Sequence, residues 1–335
     1  NMQPLILLTI FISFFITYLL LPFWIRKTRQ IKLLWEDMHK LGHPKNVSGS
    51  GGIIVLGGAT IGILLYIATN VFIFQSDSNL IEIFALLTVI LIAGAIGIVD
   101  DFFGWQRGGL SKRSRIILII FAAIPLMVIN AGISKINLPF FGLIELGILY
   151  PLLVIPIGIV GATTTYNFLA GYNGLESSQG IIILSALAFV TYKTGNAWLS
   201  VVILCMVASL LAFYIFNKHP ARVFPGDILT YSVGALIAGV AILGDIEKIA
   251  ILFFIPYIIE TGLKIRGRLK KQSFGKLNKD GSLEIPYNKI YGLEHLAILA
   301  LKKIKPSKKV YEKEVVYLIN GFQILIIILT LLVFM

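Results

Sequence analysis

The chain consists largely of apolar runs, each long enough to cross a lipid bilayer as a helix. The hydrocarbon core of a bilayer is about 30 Å thick and needs roughly 20 residues of α-helix. The runs lie near residues 4–24, 51–74, 80–99, 116–133, 146–165, 178–192, 198–217, 227–244, 249–265 and 315–335. With 57% hydrophobic and 14% charged residues, the composition lies outside the range of soluble globular domains. We therefore predict an all-α integral membrane protein with about ten transmembrane helices.

No linker or internal repeat divides the chain, so we expect residues 1–335 to form a single polytopic membrane domain. The longest loop between predicted spans covers about residues 265–314, and Asp280-Gly281 within it is a turn signal. The first run follows no charged segment and no small-residue cleavage site, so we expect a retained helix and not a removed signal. A single cysteine, Cys205, excludes an intrachain disulfide and a cysteine metal site.

The distribution of basic residues predicts how the spans are oriented, because cytoplasmic loops hold the excess of Lys and Arg. The loops after the first, third, fifth, seventh and ninth spans carry 26 of the 29 basic residues. Both termini are therefore expected outside the cytoplasm. The net charge of +12 is explained in part by this bias and by attraction to anionic lipid headgroups.

Three polar segments interrupt the apolar runs, each where a predicted span meets a loop. They cover Asp100 to Gly104, Asn167 to Glu176 and Phe224 to Asp227. Carboxylates and carboxamides at a bilayer boundary are costly and are by default a functional site. The charge bias places all three segments on the cytoplasmic face, whereas a transporter is expected to carry polar groups near the bilayer midplane. We interpret this shared rim as a metal and nucleotide site.

The aspartates in these segments each have a second interpretation. Asp100 and Asp101 end the third predicted span, where the helix dipole disfavours anions, and adjacent carboxylates repel each other unless a cation, an arginine or a shared proton offsets them. A solvated acidic pair at a helix end is the alternative. Asp227 begins the eighth span, where it either caps the helix or binds a hard cation such as Mg²⁺, and one carboxylate can do both.

The uncharged residues and the arginines each have a second interpretation as well. Asn167 and Asn173 can ligate Mg²⁺ or read a pyrimidine edge, or they can form a turn that uses Asn and Gly for positive φ. Phe224 either stacks on a base or packs at the interface, where aromatics are common. Arg266 and Arg268 suit bidentate contacts to a pyrophosphate, or they flank the membrane as basic residues often do.

Together, the three polar segments resemble, in order and spacing, those of the polyprenyl-phosphate N-acetylhexosamine-1-phosphate transferases of glycosyltransferase family 4. The run Asn173-Gly174-Leu175-Glu176 and the segment Arg266-Gly267-Arg268 look most like the archaeal and eukaryotic branch, the UDP-GlcNAc:dolichyl-phosphate GlcNAc-1-phosphate transferases. The resemblance covers nearly the whole chain and includes the layout of ten spans.

The resemblance implies a role for each polar segment at an active site on the cytoplasmic face. Asp227 and Asn167 would ligate Mg²⁺, with Mn²⁺ as the alternative metal. Asp100 and Asp101 would act on the lipid phosphate and lie near the metal. Asn173 and Phe224 would hold the uracil. The full set of implied nucleotide contacts is Asn173, Gly174, Phe224, Arg266 and Arg268.

Other family positions match less closely. Arg266 and Arg268 would grip the pyrophosphate, but Gly267 stands where the eukaryotic enzymes have a histidine. Either Lys112 or Arg115 occupies the region of a family lysine that contacts phosphate. The sequence separation from Pro125 favours Arg115. His295 is the only histidine in the last cytoplasmic loop, which argues against the bacterial muramyl-pentapeptide and enterobacterial-type branches. No role is assigned to the segment from Gly42 to Asn46.

The resemblance implies transfer of N-acetylglucosamine-1-phosphate from UDP-GlcNAc to a polyprenyl (dolichyl) phosphate with release of UMP. This would be the first membrane step of lipid-linked oligosaccharide synthesis for N-glycosylation. We expect membrane lipids but no nucleic acid as partners, leave a homodimer open, and favour an archaeal plasma membrane over the endoplasmic reticulum. The alternatives are another UDP-N-acetylhexosamine used for cell-envelope glycans, or a lipid or solute transporter. The CDP-alcohol phosphotransferases need a denser aspartate set than this chain has.

Overall fold

The fold is mainly helical, as expected for a chain whose backbone must satisfy its own hydrogen bonds in lipid. A computed structural model describes residues 4–133, 135–138 and 142–335. The helices are α1 Pro4–Gln30, α2 Gly52–Ala68, α3 Leu80–Arg107, α4 Lys112–Val128, α5 Ile155–Tyr166, α6 Leu175–Lys193, α7 Ala197–Asn217, α8 Gly226–Leu243, α9 Glu247–Phe253, α10 Ile255–Arg266, α11 Leu293–Ile304 and α12 Glu312–Phe334. Two π-helical turns, Thr69–Ile73 and Tyr150–Val154, follow α2 and precede α5.

Within the described residues, three short antiparallel hairpins lie in the connections between helices. Their strands are β1 Leu34–Glu36 with β2 Lys45–Ser48, β3 Lys135–Leu138 with β4 Gly142–Glu145, and β5 Lys276–Leu277 with β6 Leu283–Glu284. Trp35 is opposite Val47 in the first pair, and Leu277 is opposite Leu283 in the third. The turn expected at Asp280-Gly281 lies between β5 and β6, and Gly281 has a φ of +79°.

Seven helices within the described ranges are long and apolar enough to cross a membrane: Pro4–Gln30, Gly52–Ile73, Leu80–Gly104, Leu175–Lys193, Ala197–Asn217, Gly226–Leu243 and Glu312–Phe334. The chain is therefore an integral membrane protein. The expected number of ten spans is not confirmed, because three of the predicted spans have shorter helices.

The three shorter elements depart from the predicted spans for local reasons. α4 begins earlier than its apolar run, because the Ser111 hydroxyl accepts a hydrogen bond from the Ser114 N–H at 3.1 Å and caps the helix. The predicted span 146–165 is a π-helical turn followed by α5. The predicted span 249–265 is divided into α9 and α10 at Phe254, because Pro256 in the first turn of α10 has no backbone N–H and cannot continue the preceding helix.

α7 and α8 lie at the centre of the bundle, and α3 packs against α8 over much of its length. In α8, 83% of the most apolar stretch is buried, compared with 22% in α1. α3 and α8 approach closely at Gly97, where an added β-carbon would lie 2.5 Å from the Ile228 Cα. This close approach brings the end of α3 against the beginning of α8.

The polar segments converge at one end of the bundle. Ser48, at the end of β2, forms a parallel bridge with Val223, and the Asp227 N–H donates to Asp101. At the opposite end of α8, the Ile133 N–H donates to the Asp245 carboxylate at 2.9 Å. Helix ends that are far apart in sequence thus meet around one cavity.

Candidate functional site

A cavity of about 340 Å³ opens among the polar segments at this end of the bundle. Its walls come from the segment around β1, the end of α3, the loop between α5 and α6, the start of α8 and one residue after α10. The lining residues are Trp35, Glu36, Met38, Ser50, Asp101, Asn167, Ala170, Gly171, Tyr172, Glu176, Phe224, Pro225, Gly226, Asp227, Thr230 and Phe274. Four predicted site residues, Asp101, Asn167, Phe224 and Asp227, therefore line a single cavity.

Asp101 joins the end of α3 to the first turn of α8. Its Oδ1 accepts a hydrogen bond from the Asp227 backbone N–H at 2.7 Å. Its Oδ2 is buried and makes no well-formed hydrogen bond among the described residues, although the Ser50 hydroxyl lies nearby. At Gly226, which has a φ of +72°, an added β-carbon would lie 2.1 Å from this oxygen. Glycine is required there by both the backbone conformation and the space.

Asp100, the neighbour of Asp101, has its oxygens engaged within the protein. Arg115 Nε lies 2.5 Å from Oδ2 and Arg115 Nη2 donates to Oδ1 at 2.9 Å. The Tyr231 hydroxyl donates to Oδ2 at 3.0 Å and the Leu110 N–H donates to Oδ1 at 2.8 Å. Asp100 is not among the lining residues. It positions Arg115, and its contact with a lipid phosphate stays a prediction.

Of the two candidate phosphate-binding cations, Arg115 is the one beside the carboxylates. Lys112 is exposed and its Nζ donates to the Leu269 carbonyl at 3.0 Å. Arg115 is about a third exposed and is close enough to interact electrostatically with Asp227 as well as Asp100. Its guanidinium can therefore offset the charge of the acidic group and still face an incoming anion.

Asn167 and Asp227 meet through Thr230. Asn167 ends α5 and Asp227 lies in the first turn of α8. The Thr230 hydroxyl donates to the Asn167 Oδ1 at 3.1 Å and lies 3.2 Å from the Asp227 carbonyl oxygen. Both predicted metal ligands thus face the same cavity.

The oxygen donors fit a Mg²⁺ ion. Among the described residues, no group of three or more His, Cys, Asp or Glu has the arrangement of a metal site. Mg²⁺, however, is usually held by one or two carboxylates together with water and substrate phosphates. Asp227 lies close enough to Asp100 and Asp101 for their charges to repel it, and the buried Oδ2 of Asp101 lacks a well-formed hydrogen bond. A cation among Asp227, Asn167 and Asp101 would relieve this repulsion.

Phe224 is held against the cavity by backbone hydrogen bonds. Its N–H donates to the Ser48 carbonyl at 2.8 Å, and its own carbonyl accepts from the Gly51 N–H at 2.9 Å. Gly171 and Tyr172 belong to another wall of the same cavity. The ring is thus available to stack on a planar ligand.

Tyr172 combines the cavity wall with the packing behind it. Its hydroxyl accepts from the Gly275 N–H at 3.1 Å, and its ring lies 4.2 Å from that of His39, measured between centroids. Burial, and next the nearby Glu294 carboxylate, raise the pKa of Tyr172 well above its usual value. The residue is therefore a neutral hydrogen-bonding group at physiological pH.

The structure does not bring the remaining predicted nucleotide contacts to the cavity wall. The Asn173 carboxamide donates to Glu312 Oε1 at 2.6 Å and accepts from the Ala221 N–H at 2.7 Å. Gly174 begins α6 with a φ of +82° and faces the backbone of Lys218. Arg266 and Arg268 are exposed at the end of α10. None of these four lines the cavity, and their contacts with a nucleotide stay predictions.

Several lining residues were not predicted from the sequence. Trp35, Glu36 and Met38 lie around β1 in a loop with no periodic pattern, and Phe274 lies in the long loop after α10. Glu176 was part of a predicted segment but had no assigned role. No local signal distinguishes these residues, because the tertiary fold alone brings the loops together.

Comparison with known proteins places the chain within a family. Residues 83–245 match the model of glycosyl transferase family 4, a stretch that includes Asp101, Asn167 and Asp227. A protein of Saccharolobus solfataricus with the provisional name UDP-N-acetylglucosamine–dolichyl-phosphate N-acetylglucosaminephosphotransferase is 36% identical over 83% of each chain.

Two further relatives extend this similarity. A Sulfolobus acidocaldarius protein with the same provisional name is 31% identical, over 97% of this chain and 94% of its own. The phospho-N-acetylmuramoyl-pentapeptide-transferase of Halalkalibacterium halodurans is 30% identical, over 78% of this chain and 81% of its own. With this identity and coverage, the chain belongs to glycosyl transferase family 4, as its sequence motifs predicted.

Proposed function

We propose that the protein transfers N-acetylglucosamine-1-phosphate from UDP-GlcNAc to a dolichyl-type polyprenyl phosphate and releases UMP. The observation that carries the proposal is the cavity shared by Asp101, Asn167, Phe224 and Asp227 at one end of the helical bundle. The archaeal relatives bear names for this reaction. The reaction would begin lipid-linked oligosaccharide synthesis for N-glycosylation.

The reaction brings two anions together. An oxygen of the lipid phosphate forms a bond to the sugar-bearing phosphorus, while the bond from that phosphorus to the bridging oxygen breaks and UMP leaves with that oxygen. Arg115, oriented by Asp100, provides positive charge beside the cavity. Phe224 provides a surface for the uracil ring.

A divalent cation fits the same group of oxygens. Asp227 and Asn167 would hold Mg²⁺, with Asp101 beside it. When bound, the ion would offset the charge of the pyrophosphate and of the departing UMP. The protein holds these oxygens in place through Thr230 and through the hydrogen bond from Asp227 to Asp101.

A second cavity supports a substrate with an apolar tail. It measures about 350 Å³ and lies between α5, α8, α9 and α10. Its lining extends from Val154, at the end of the π-helical turn, along α5 to Thr165, two residues before Asn167. A prenyl chain in this groove would have its phosphate near the polar cavity.

The finer membrane arrangement is part of the proposal. The shorter α4, the π-helical turn with α5, and α9 with α10 would complete ten membrane-crossing elements. Both termini would lie outside the cytoplasm and the polar cavity would face it, in the plasma membrane of an archaeon. The charge bias of the loops supports this orientation.

The proposal is tested by UMP release from detergent-purified full-length protein given UDP-GlcNAc and dolichyl phosphate, with Mg²⁺ or with EDTA. We expect UMP only when lipid and metal are both present. We also expect a loss of at least about 100-fold in Asp227→Asn, because Asn lacks the negative charge that would hold the cation, and a bound metal contributes several kcal/mol of transition-state stabilisation at about 1.4 kcal/mol per factor of ten. Asp245→Asn, at the opposite end of α8, is the matched control and should retain activity.

The same assay separates related activities. UDP-GalNAc and UDP-N-acetylmuramoyl-pentapeptide are supplied in parallel with UDP-GlcNAc. Faster turnover of either one would identify it, and not UDP-GlcNAc, as the preferred sugar donor. Absence of UMP with every donor and lipid phosphate, from folded protein, would refute the transferase assignment.

A further inference from the structure

Glu312 is a buried carboxylate that none of the proposed catalytic steps uses. It lies in the first turn of α12, is 4% exposed, and does not line the polar cavity. Burying a carboxylate is costly unless it is paired and hydrogen-bonded. Its partners therefore indicate why the fold keeps it there.

The partners of Glu312 come from three different connections. Its Oε1 accepts from the Asn173 backbone N–H at 2.7 Å and from the Asn173 Nδ2 at 2.6 Å. The same oxygen lies 3.3 Å from His39 Nδ1, a close contact without hydrogen-bond geometry. Its Oε2 lies 2.9 Å from His219 Nδ1. One carboxylate thus joins the segment after β1, the loop between α5 and α6, and the connection between α7 and α8.

Each of these connections carries a wall of the polar cavity. His39 directly follows Met38, and Asn173 directly follows Tyr172. His219 lies in the connection that leads to Phe224 and the start of α8. The His39 ring also packs against Tyr172 and Phe274, with centroids 4.2 and 5.5 Å apart.

We infer that Glu312 is a positioning residue that fixes the relative positions of the three connections forming walls of the polar cavity. The inference rests on the proposed function, because it takes this cavity as the site for UDP-GlcNAc. Glu312 acts through Asn173, whose Oδ1 is held in turn by the Ala221 N–H at 2.7 Å. The loop is also fixed at its other end, where Glu176 accepts from the Gly171 N–H at 2.8 Å.

Removing the Glu312 carboxylate would leave buried partners unsatisfied. Asn173 would lose the acceptor for both its backbone and its side-chain N–H, and His219 would lose its hydrogen-bond partner. A buried donor without an acceptor is costly, so the loop would relax until water reached it. Residues such as Tyr172, one position away on the cavity wall, would then lose their fixed position.

Glu314 provides a matched control in the same helical turn. Its Oε2 accepts from the Tyr311 N–H at 2.9 Å, and its Oε1 pairs with Lys305 Nζ at 2.6 Å. The side chain is 33% exposed, and its contacts lie away from the cavity. Replacing it removes a carboxylate and a capping contact from the start of α12, while its own partners, Tyr311 and Lys305, lie outside the three connections.

The test compares Glu312→Ala, Glu312→Gln and Glu314→Ala in the full-length protein. UDP-GlcNAc affinity is measured by titration calorimetry, and the KM values for UDP-GlcNAc and dolichyl phosphate are measured separately. Hydrogen exchange followed by mass spectrometry reports on peptides covering residues 34–48, 167–174 and 218–224. Binding and exchange do not depend on turnover, so they test the inference apart from the proposed reaction.

We expect Glu312→Ala to weaken UDP-GlcNAc binding at least tenfold, to raise the KM for that substrate alone, and to speed exchange in all three peptides. Glu312→Gln keeps one acceptor for Asn173 and should weaken binding by a factor of about three to ten. Glu314→Ala should stay within twofold of the wild type. If Glu312→Ala does not fold, Glu312→Gln decides the outcome.

Other results contradict the inference. Equal changes in the KM of both substrates, or UDP-GlcNAc affinity within twofold of that of Glu314→Ala, would show only a structural role. If the wild type binds UDP-GlcNAc but releases no UMP, the transferase proposal fails and the binding comparison still decides the role of Glu312. If the wild type binds neither UDP-GlcNAc nor UMP, both are overturned.

Discussion

Asp100 and Asp101 are adjacent in sequence but have different surroundings. Successive residues on an α-helix point about 100° apart, so the two carboxylates face different neighbours. Asp100 is enclosed by Arg115, Tyr231 and the Leu110 N–H, whereas Asp101 faces the cavity. Asp100 thus holds the Arg115 guanidinium, whereas Asp101 keeps one carboxylate oxygen for a ligand in the cavity.

This division leads to a prediction about the two candidate cations. Arg115→Gln should lower kcat/KM for UMP release at least about 30-fold, because losing about 2 kcal/mol of transition-state stabilisation corresponds to that factor. Lys112→Gln should remain within about threefold, because Lys112 is exposed and its Nζ donates to the Leu269 carbonyl and not to a carboxylate of the cavity. Steady-state kinetics on both variants, with thermal unfolding to confirm folding, make the comparison. A larger loss in Lys112→Gln would assign the phosphate contact to the lysine.

At the scale of the elements, the pair formed by α3 and α8 sets the position of the candidate site. The helices meet where Gly97 faces Ile228, one residue after Asp227. The absence of a side chain at residue 97 lets the first turn of α8 approach Asp101. Helix spacing and carboxylate geometry are therefore linked.

We predict that Gly97→Ala separates the two helices and lowers activity at least about tenfold. The added methyl group would lie 2.5 Å from the Ile228 backbone, and overpacking of this kind typically costs 1–3 kcal/mol. Gly57→Ala is the control, since a β-carbon at residue 57 meets no heavy atom within 4 Å. UMP release and the melting temperature in detergent are measured for both variants. Equal effects of the two substitutions would contradict the close-approach argument.

The helical elements were largely predictable because a long apolar run has few alternatives in lipid. Breaks within the runs were harder to predict. Pro256 ends one helix and starts another at Phe254, although hydropathy does not change there. α11 was not predicted, because it lies in a mostly polar loop. It is an amphipathic helix whose apolar face is buried against other elements.

The candidate site was partly predictable for a related reason. Asp101, Asn167 and Asp227 stood out as polar residues beside apolar spans, and Phe224 stood out as an aromatic residue directly before Pro225-Gly226-Asp227. The walls that contain Trp35, Glu36, Met38 and Phe274 depend on contacts between distant loops, which no local pattern encodes. Arg266 and Arg268 were chosen by motif, and their exposed positions depend on how the chain leaves α10.

At the scale of the whole molecule, the polar connections gather at one end of a largely apolar bundle. The segment around β1, the end of α3 and the start of α8 meet there around Asp101. A soluble nucleotide and a lipid phosphate could thus approach the same cavity from water and from the bilayer. The arrangement also has a definite orientation that can be measured.

The predicted orientation can be tested by labelling single cysteines in intact cells. Ser78→Cys, in the connection between α2 and α3, should react with a membrane-impermeant maleimide, whereas Lys279→Cys, beside the β5–β6 turn, should react only after lysis. Both positions are exposed, and the native Cys205 is buried, so it should contribute little background. Labelling of Lys279→Cys in intact cells would show that the orientation is the opposite of the predicted one.

The contact between Glu312 and Asn173 also bears on the order in which the protein is made. Chains are synthesised from the N-terminus, and early segments enter the membrane before late ones. Asp101, Asn167 and Asp227 are therefore present before α12 has emerged from the ribosome. On this view a nascent chain carries its acidic residues but cannot yet hold a sugar nucleotide firmly. Insertion of α12 would then supply the carboxylate that joins Asn173 to His219.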